Sequence, residues 1–438
     1  MPSSLHREKG YRRSRPVRMA GMPFPAATST NDEGHLVVDG CDLVEIAAEF
    51  GTPAYLFSVS EMRSRARAYL EAFSARSDRF EVLFASKALP VTAAYRLFAE
   101  QGLSVDVASG GELTMALAAG YDPQRIYMHG NNKTDKELEL ADRSGVGTLI
   151  VDSFDEIERC ERILDRKVDA MVRVTPGIEP STHDYIQTGQ IDSKFGFGLE
   201  DGSAGAAIDR VLGSDRLELV GLHCHIGSQI FELEPFRLAV DALATIAGDW
   251  CQVVNLGGGL GISYLSEDDP PEIEEYVELK VEAVKRCFGD GVRIQVEPGR
   301  SLVGTAGLTV YTIGTVKRIP GVRTYVAVDG GMSDNLRPML YDARYEAVLA
   351  DRPEREGDTE VTVAGSHCES GDILIQDVSL PDPAVGDVLV IPATGAYGYA
   401  MANNYNGMPR PPVVFLDDGS ASAVVRRETW QDLMARDR

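Results

Sequence analysis

No two of the six cysteines, Cys41, Cys160, Cys224, Cys251, Cys287 and Cys368, stand at CxxC spacing. Neither a zinc site nor a thioredoxin-like redox pair is therefore signalled, and no metal is expected. A chain of 438 residues needs no disulfide to fold, so reduced thiols and a cytoplasmic setting are the expectation. Long apolar runs are missing too: none approaches the roughly 18 residues of a membrane span. Positive charge is scarce. Forty-three Lys and Arg face 67 Asp and Glu, a formal net charge of −24. Such a balance excludes nucleic acid and membrane surfaces as expected partners. What is present is ordinary for a globular protein, 44% hydrophobic and 25% charged, with ample material for a large core.

The charge is unevenly placed. The first 30 residues hold Arg7, Lys9, Arg12, Arg13, Arg15 and Arg18 against the single acid Glu8. No apolar stretch follows these arginines, so a secretory signal is not expected. Residues 1–30 read as a disordered basic tail or a start placed too early, with Met19 and Met22 as later starts. An organelle transit peptide is the alternative.

From about residue 80 one pattern recurs: a short β-branched run ends in a polar residue or glycine, and a helical stretch follows. The runs are VLFASK at Lys87, LSVDVAS around Asp106, RIYMHG at His129, GTLIVDS at Asp152, AMVRVTP at Arg173, LELVGLHCH at His225, QVVNLGGG at Gly259 and RIQVEPGR at Arg300. Eight strand–helix units predict a parallel (β/α)₈ barrel over residues 58–303. The long gap between Arg173 and His225 implies an inserted loop. After about residue 304 the pattern changes to strands joined by turns. That predicts a C-terminal antiparallel β-barrel or sandwich over 304–438, with residues 31–57 contributing. In such barrels the working residues gather at the C-terminal strand ends.

Four strand ends carry chemistry. Lys87, in VLFASKALP, reads as a solvated charge or as a desolvated amine whose pKa falls, suiting Schiff-base formation. The run Gly257-Gly258-Gly259-Leu260-Gly261 is a tight turn or a phosphate cradle, and it matches no nucleotide motif. His225 is a packed histidine or an imidazole stacked on a flat ring. His223, two residues earlier, is expected to point the other way, so that the two do not share a metal. Glu297 either pairs with Arg300 or holds a pyridine nitrogen protonated, which would make the ring an electron sink. Together these four describe a pyridoxal 5'-phosphate site.

The motifs FASKA, SVDVASGGEL, RVTPG with THDYIQTGQIDSKFGFG, GLHCHIGSQ, NLGGGLGISY, VEPGR, DGGMSDNLRPMLYDARY, HCESGD and GAYGYAMANNYN resemble the diaminopimelate decarboxylases, of the alanine-racemase-like fold. The resemblance runs from about residue 34 to the end. It implies that Lys87 carries the cofactor as a Schiff base and that His225 stacks on its ring. Ser228, Gly258 and Gly259 would hold the phosphate, and Glu297 the ring nitrogen. Asp106, Gly299, Arg300 and Tyr397 would complete the cofactor site, with Glu112 a nearby supporting acid. Arg300, Arg337 and Tyr341 look like a clamp for the distal carboxylate of an amino-acid substrate, with Glu369 on its distal ammonium and Tyr397 alongside. Cys368 resembles the proton donor, and the Cys-Glu pair would come from the second subunit of a homodimer sharing its active sites. The implied reaction converts meso-2,6-diaminopimelate to L-lysine and CO₂, the last step of lysine synthesis. The alternatives are a decarboxylase of ornithine, arginine or lysine, a non-catalytic pyridoxal-phosphate-binding protein, or an enzyme for a carrier-tethered substrate.

Overall fold

A computed structural model of the chain describes residues 15–16, 21–178 and 193–438. The rest of the basic tail and most of the THDYIQTGQIDSKF motif lie outside the described residues. Eight strands form the barrel: β1 (Phe80–Ala85), β2 (Ser104–Val107), β3 (Ile126–Met128), β4 (Thr148–Val151), β5 (Val168–Thr175), β6 (Leu217–His223), β7 (Val253–Asn255) and β8 (Arg293–Val296). Neighbours pair in parallel. The ring closes where β8 meets β1, with Val296 beside Val82, and where β4 meets β5, with Ile150 beside Met171. β2, β3 and β4 are buried at every position, as strands covered on both faces must be.

The strand-to-helix joints are written in the sequence. Ser109, Thr134 and Ser153 each follow a strand and accept a hydrogen bond from the backbone N–H three residues on. In each case that third residue is Glu112, Glu137 or Glu156, the Ser/Thr-x-x-Glu signature of a helix start. Gly120 and Gly145 end two of these helices in the left-handed conformation, at φ +90° and +76°.

The C-terminal sheet is centred on the long strand Gly307–Ile319, which pairs antiparallel with Arg323–Val328, Val388–Ile391 and Ala54–Ser58. Two parallel pairs interrupt its antiparallel pattern. Arg323–Val328 runs with Thr359–Ala364, and Ala54–Ser58 runs with Val413–Asp417. The early segment thus joins the late sheet, and Tyr397 from this region reaches the barrel, its N–H donating to the Ala88 carbonyl at 2.8 Å.

Residues 21–30, expected to belong to a disordered tail, are built into the fold. Thr28–Thr30 pairs with Leu36–Val38, and Met22 and Phe24 pack against the buried cluster to which Leu36 and Val38 belong. The apolar residues of the MPFP stretch anchor what charge alone had marked as unstructured. All six cysteines are free thiols. Among the described residues no helix is long and apolar enough to cross a membrane.

Candidate active site

The C-terminal barrel mouth brings the predicted residues together. Lys87, His225, Ser228, Gly258, Gly259, Glu297, Gly299, Arg300 and Tyr397 line one pocket. Lys87 sits in a single 3₁₀ turn, Ser86–Ala88, directly after β1. The Ser86 hydroxyl donates to Glu112 at 3.0 Å, and the same carboxylate oxygen accepts the Ala108 N–H at 2.7 Å. Glu112 therefore ties the lysine turn to the end of β2. The Lys87 amine differs from the expectation. Burial pulls its pKa down, but Asp106, Tyr397 and Glu297 outweigh burial and the net shift is upward. The surrounding carboxylates hold a proton on the amine until a ligand changes that balance.

Glu297 follows β8 and is almost wholly buried. One oxygen accepts from His129 Nε2 at 2.9 Å and from Asn255 Nδ2 at 2.8 Å, and the other from His223 Nε2 at 3.2 Å. Burial works against its ionisation, yet the electrostatic pull of His129 and His223, with their hydrogen bonds, holds its pKa well below the ordinary carboxylate value. Burial lowers both imidazoles, His223 to about 4, and a neutral ring still donates through Nε2. His223 Nδ1 is buried without a partner, as expected of that tautomer. The ion pair between Glu297 and Arg300 is not formed.

Strand alternation does not separate the two histidines as expected. Residues two apart along an extended chain share a face rather than alternate, β6 ends at His223, and both imidazoles feel the charge of Glu297. His225 accepts the Gly258 N–H at Nδ1, 3.2 Å away, and burial keeps it neutral. The donor atoms of His129, His223 and Glu297 lie within 4.8 Å of one another, and here they bond to each other.

Gly258 and Gly259 have no room for side chains. A Cβ at Gly258 would meet the Glu297 carbonyl at 2.4 Å, and one at Gly259, whose φ is +113°, would meet the Gly227 carbonyl at 2.8 Å. Arg300 is buried and donates to Ser228 Oγ from Nη2 at 2.9 Å and from Nε at 3.2 Å, and to the Tyr264 hydroxyl. Its guanidinium lies 4.9 Å from the Tyr397 ring centroid. Tyr397 is held at φ +68°, a costly conformation for a tyrosine.

Arg337, also buried, stands behind this wall with its guanidinium 4.3 Å from the other end of the same bridge, the Tyr264 ring, and donates to Tyr345. Among the described residues no carboxylate pairs with Arg300 or Arg337. Tyr341, half-buried, ends the short helix Arg337–Tyr341 and is off the pocket wall. Asp106 is buried beside Lys87, and burial with the Glu297 charge raises its pKa well above normal. Cys368 and Glu369 are not in the pocket of this chain. Both are exposed on the β domain, where the Cys368 N–H donates to Asn406 Oδ1 at 2.9 Å. His129, His223, Asn255 and Tyr264 escaped the sequence reading. His129, His223 and Asn255 shared one signal, their places at strand ends.

A lysine amine, a neutral imidazole, a held carboxylate and an anion cradle at the mouth of a (β/α)₈ barrel define a pyridoxal-phosphate-dependent enzyme. The donor set fits that cofactor: a primary amine for its aldehyde, a glycine-lined cradle with Ser228 and Arg300 for its phosphate, and Glu297 for its ring nitrogen. Residues 59–304 match the family model of the pyridoxal-dependent decarboxylase pyridoxal-binding domain. A diaminopimelate decarboxylase of Bacillus subtilis is 48% identical, the alignment covering 93% of this chain and 96% of the relative. Another, of Actinosynnema pretiosum, is 44% identical over 96% of this chain and 98% of the relative. Among solved structures, diaminopimelate decarboxylase of M. jannaschii in co-complex with L-lysine superposes with a TM-score of 0.88 at 33% identity, covering 95% of this chain and 98% of that one. A lysine/ornithine decarboxylase of Vibrio vulnificus shares the fold at 21% identity and a TM-score of 0.74, covering 86% of this chain and 98% of that one. The chain belongs to the diaminopimelate decarboxylase family of pyridoxal-dependent carboxy-lyases.

Proposed function

We propose that this chain removes CO₂ from the D-centre of meso-2,6-diaminopimelate to give L-lysine, as a cytoplasmic homodimer with shared active sites. The observation that carries the substrate choice is the pair of buried guanidiniums, Arg300 and Arg337, bridged by Tyr264 and lacking any carboxylate among the described residues. A buried cation left without a partner is costly. Diaminopimelate brings a distal carboxylate that a planar guanidinium can bind in bidentate fashion. Ornithine, arginine and lysine have none and would leave the clamp unpaired.

When bound, pyridoxal phosphate supplies an electron sink for the pair released as the Cα–CO₂⁻ bond breaks. The protein's residues have separate tasks. Lys87 would hold the cofactor covalently through its aldehyde carbon. His225 supports one face of the ring. Glu297, kept ionised by His129, His223 and Asn255, holds a proton on the ring nitrogen. Ser228, Gly258, Gly259 and Gly299 with Arg300 and Tyr397 receive the phosphate, and Asp106 sets the charge around Lys87. Arg337 with Arg300 and Tyr341 orients the distal carboxylate, and Glu369 the distal ammonium. Cys368 of the second subunit delivers a proton to Cα after CO₂ leaves. The exposure of Cys368 and Glu369, away from this chain's own pocket, supports their working across an interface.

The test is a substrate panel of the diaminopimelate stereoisomers, ornithine, arginine and lysine, with CO₂ and product measured for the natural chain and for Arg337→Met. Turnover of the meso isomer alone, lost by a factor of about 10² or more in kcat/KM in the variant, is the expected result. Equal turnover of ornithine or lysine would overturn the substrate assignment.

A further inference from the structure

The helix Ile273–Phe288 packs Ile273, Tyr276, Val277, Val281 and Val284 inward. In the middle of that face stands Lys280, with none of its surface exposed. An aliphatic residue is the ordinary occupant of such a position, because an ammonium there loses its hydration. Among the described residues no carboxylate lies within ion-pair distance of it. Lys280 Nζ donates instead to the Leu256 carbonyl at 3.0 Å and to the Tyr276 hydroxyl one helical turn away. It also lies 4.8 Å from the Phe236 ring centroid and 4.2 Å from that of Tyr276. The Tyr276 hydroxyl in turn donates to the Gly258 carbonyl at 3.3 Å. Both carbonyls belong to the glycine-rich segment whose other side lines the pocket.

A trans peptide points its C=O and N–H in opposite directions. Anchoring the Gly258 carbonyl on the helix side therefore turns the Gly259 N–H toward the pocket side. That N–H donates to none of the described residues, so it is left for a ligand. Burial lowers the Lys280 amine to about 7, so the free protein keeps this cation only weakly, and a nearby anion would stabilise it.

We propose that Lys280 and Tyr276 are positioning residues for the cofactor's phosphate. Lys280 is the buried counter-charge behind the glycine segment, and Tyr276 fixes the Gly258–Gly259 peptide with its N–H facing the phosphate. This rests on the reading of Gly258 and Gly259 as phosphate holders, and the test separates the two. The full chain is stripped of cofactor, and dissociation constants are measured for pyridoxal phosphate and for pyridoxal, with thermal midpoints, in the natural chain, Lys280→Met and Tyr276→Phe. The natural chain should prefer the phosphorylated form. Lys280→Met should weaken pyridoxal phosphate binding by about 10- to 100-fold, the range for a lost interaction with a charged group, and leave pyridoxal binding unchanged. Tyr276→Phe should erode the same preference by less. No preference in the natural chain would overturn the phosphate cradle itself. A preference that survives in Lys280→Met, or an equal loss for both ligands, would show Lys280 to be only structural. Should Lys280→Met fail to fold, an undiminished preference in Tyr276→Phe would overturn the proposal.

Discussion

The two mouths of the barrel are made by the same eight strands and treat polar groups in opposite ways. At the N-terminal mouth lies a cavity of about 1120 Å³ lined by Glu81, Tyr127, Gln295 and Arg293 among others. Its polar groups satisfy one another. The Glu81 carboxylate accepts from the Tyr127 hydroxyl at 2.7 Å, from Gln295 Nε2 at 2.8 Å and from Ser104. At the C-terminal mouth the pocket is tighter, yet among the described residues Arg300 and Arg337 have no carboxylate and the Gly259 N–H has no acceptor. Size does not mark the working end of this barrel. Unmatched polarity does, because a group left without a partner in the free protein is one that a ligand can satisfy.

The largest expected effect tests whether the C-terminal mouth is complete within one chain. Lys87→Ala should bind no cofactor covalently and show no lysine formation, and Cys368→Ala should lose most of its turnover. If the site is shared, mixing the two inactive variants creates dimers with one intact site. A random mixture then recovers about a quarter of the natural activity, since half the dimers are mixed and each has one working site of two. Product formation after mixing, measured against each variant alone, decides it. No recovery under conditions of subunit exchange would place Cys368 in the same chain's site or outside the chemistry.

A second contrast lies in pH. The C-terminal mouth buries His223 with its pKa lowered to about 4, and burial lowers His129 as well. In the unfolded chain both take up protons near 6.5. Between about 6.5 and 4 the unfolded state therefore binds more protons than the folded one, and stability falls as pH falls. For His223 the loss amounts to roughly 3 kcal/mol by pH 4. Urea midpoints across this range should drop accordingly, and His223→Gln should flatten the slope. An unchanged slope would mean that His223 is already protonated in the fold, with Glu297 as its counter-ion.

These two regions were not equally legible in the sequence. The eight strand ends were readable because strands buried on both faces are short apolar runs, and each of three joints carries a Ser/Thr-x-x-Glu cap. Lys87, His225, Gly258, Gly259, Glu297 and Arg300 could be placed at one mouth by topology alone. The net effect on Lys87 could not: burial was foreseeable, but the opposing charges of Asp106 and Glu297 come from strands far apart in the chain. The supporting set of His129, His223 and Asn255 was hidden for the same reason. Three donors meet one carboxylate only after β3, β6, β7 and β8 are packed, and no local spacing announces that. The ordered stretch after Gly21 was masked by composition, since arginines dominate the count while Met22 and Phe24 make the contacts.

The smallest expected effect is at the N-terminal mouth. Glu81→Gln keeps the shape of the side chain but turns one of its two acceptor oxygens into an NH₂ group, among the Tyr127, Gln295 and Ser104 groups that all donate there. One of those donors must turn away or go unsatisfied, at a cost of about 1–3 kcal/mol in stability. The network reaches toward the other end through Gln295, whose Oε1 accepts at 3.3 Å from the Asn255 Nδ2 that also donates to Glu297, but His129 and His223 hold Glu297, and Glu112 the Lys87 turn, without it. The thermal midpoint should therefore fall while kcat, KM and the affinity for pyridoxal phosphate stay at their natural values. A variant of undiminished stability with impaired turnover would show that the two mouths are coupled through the barrel interior, and that the division of labour between them is wrong.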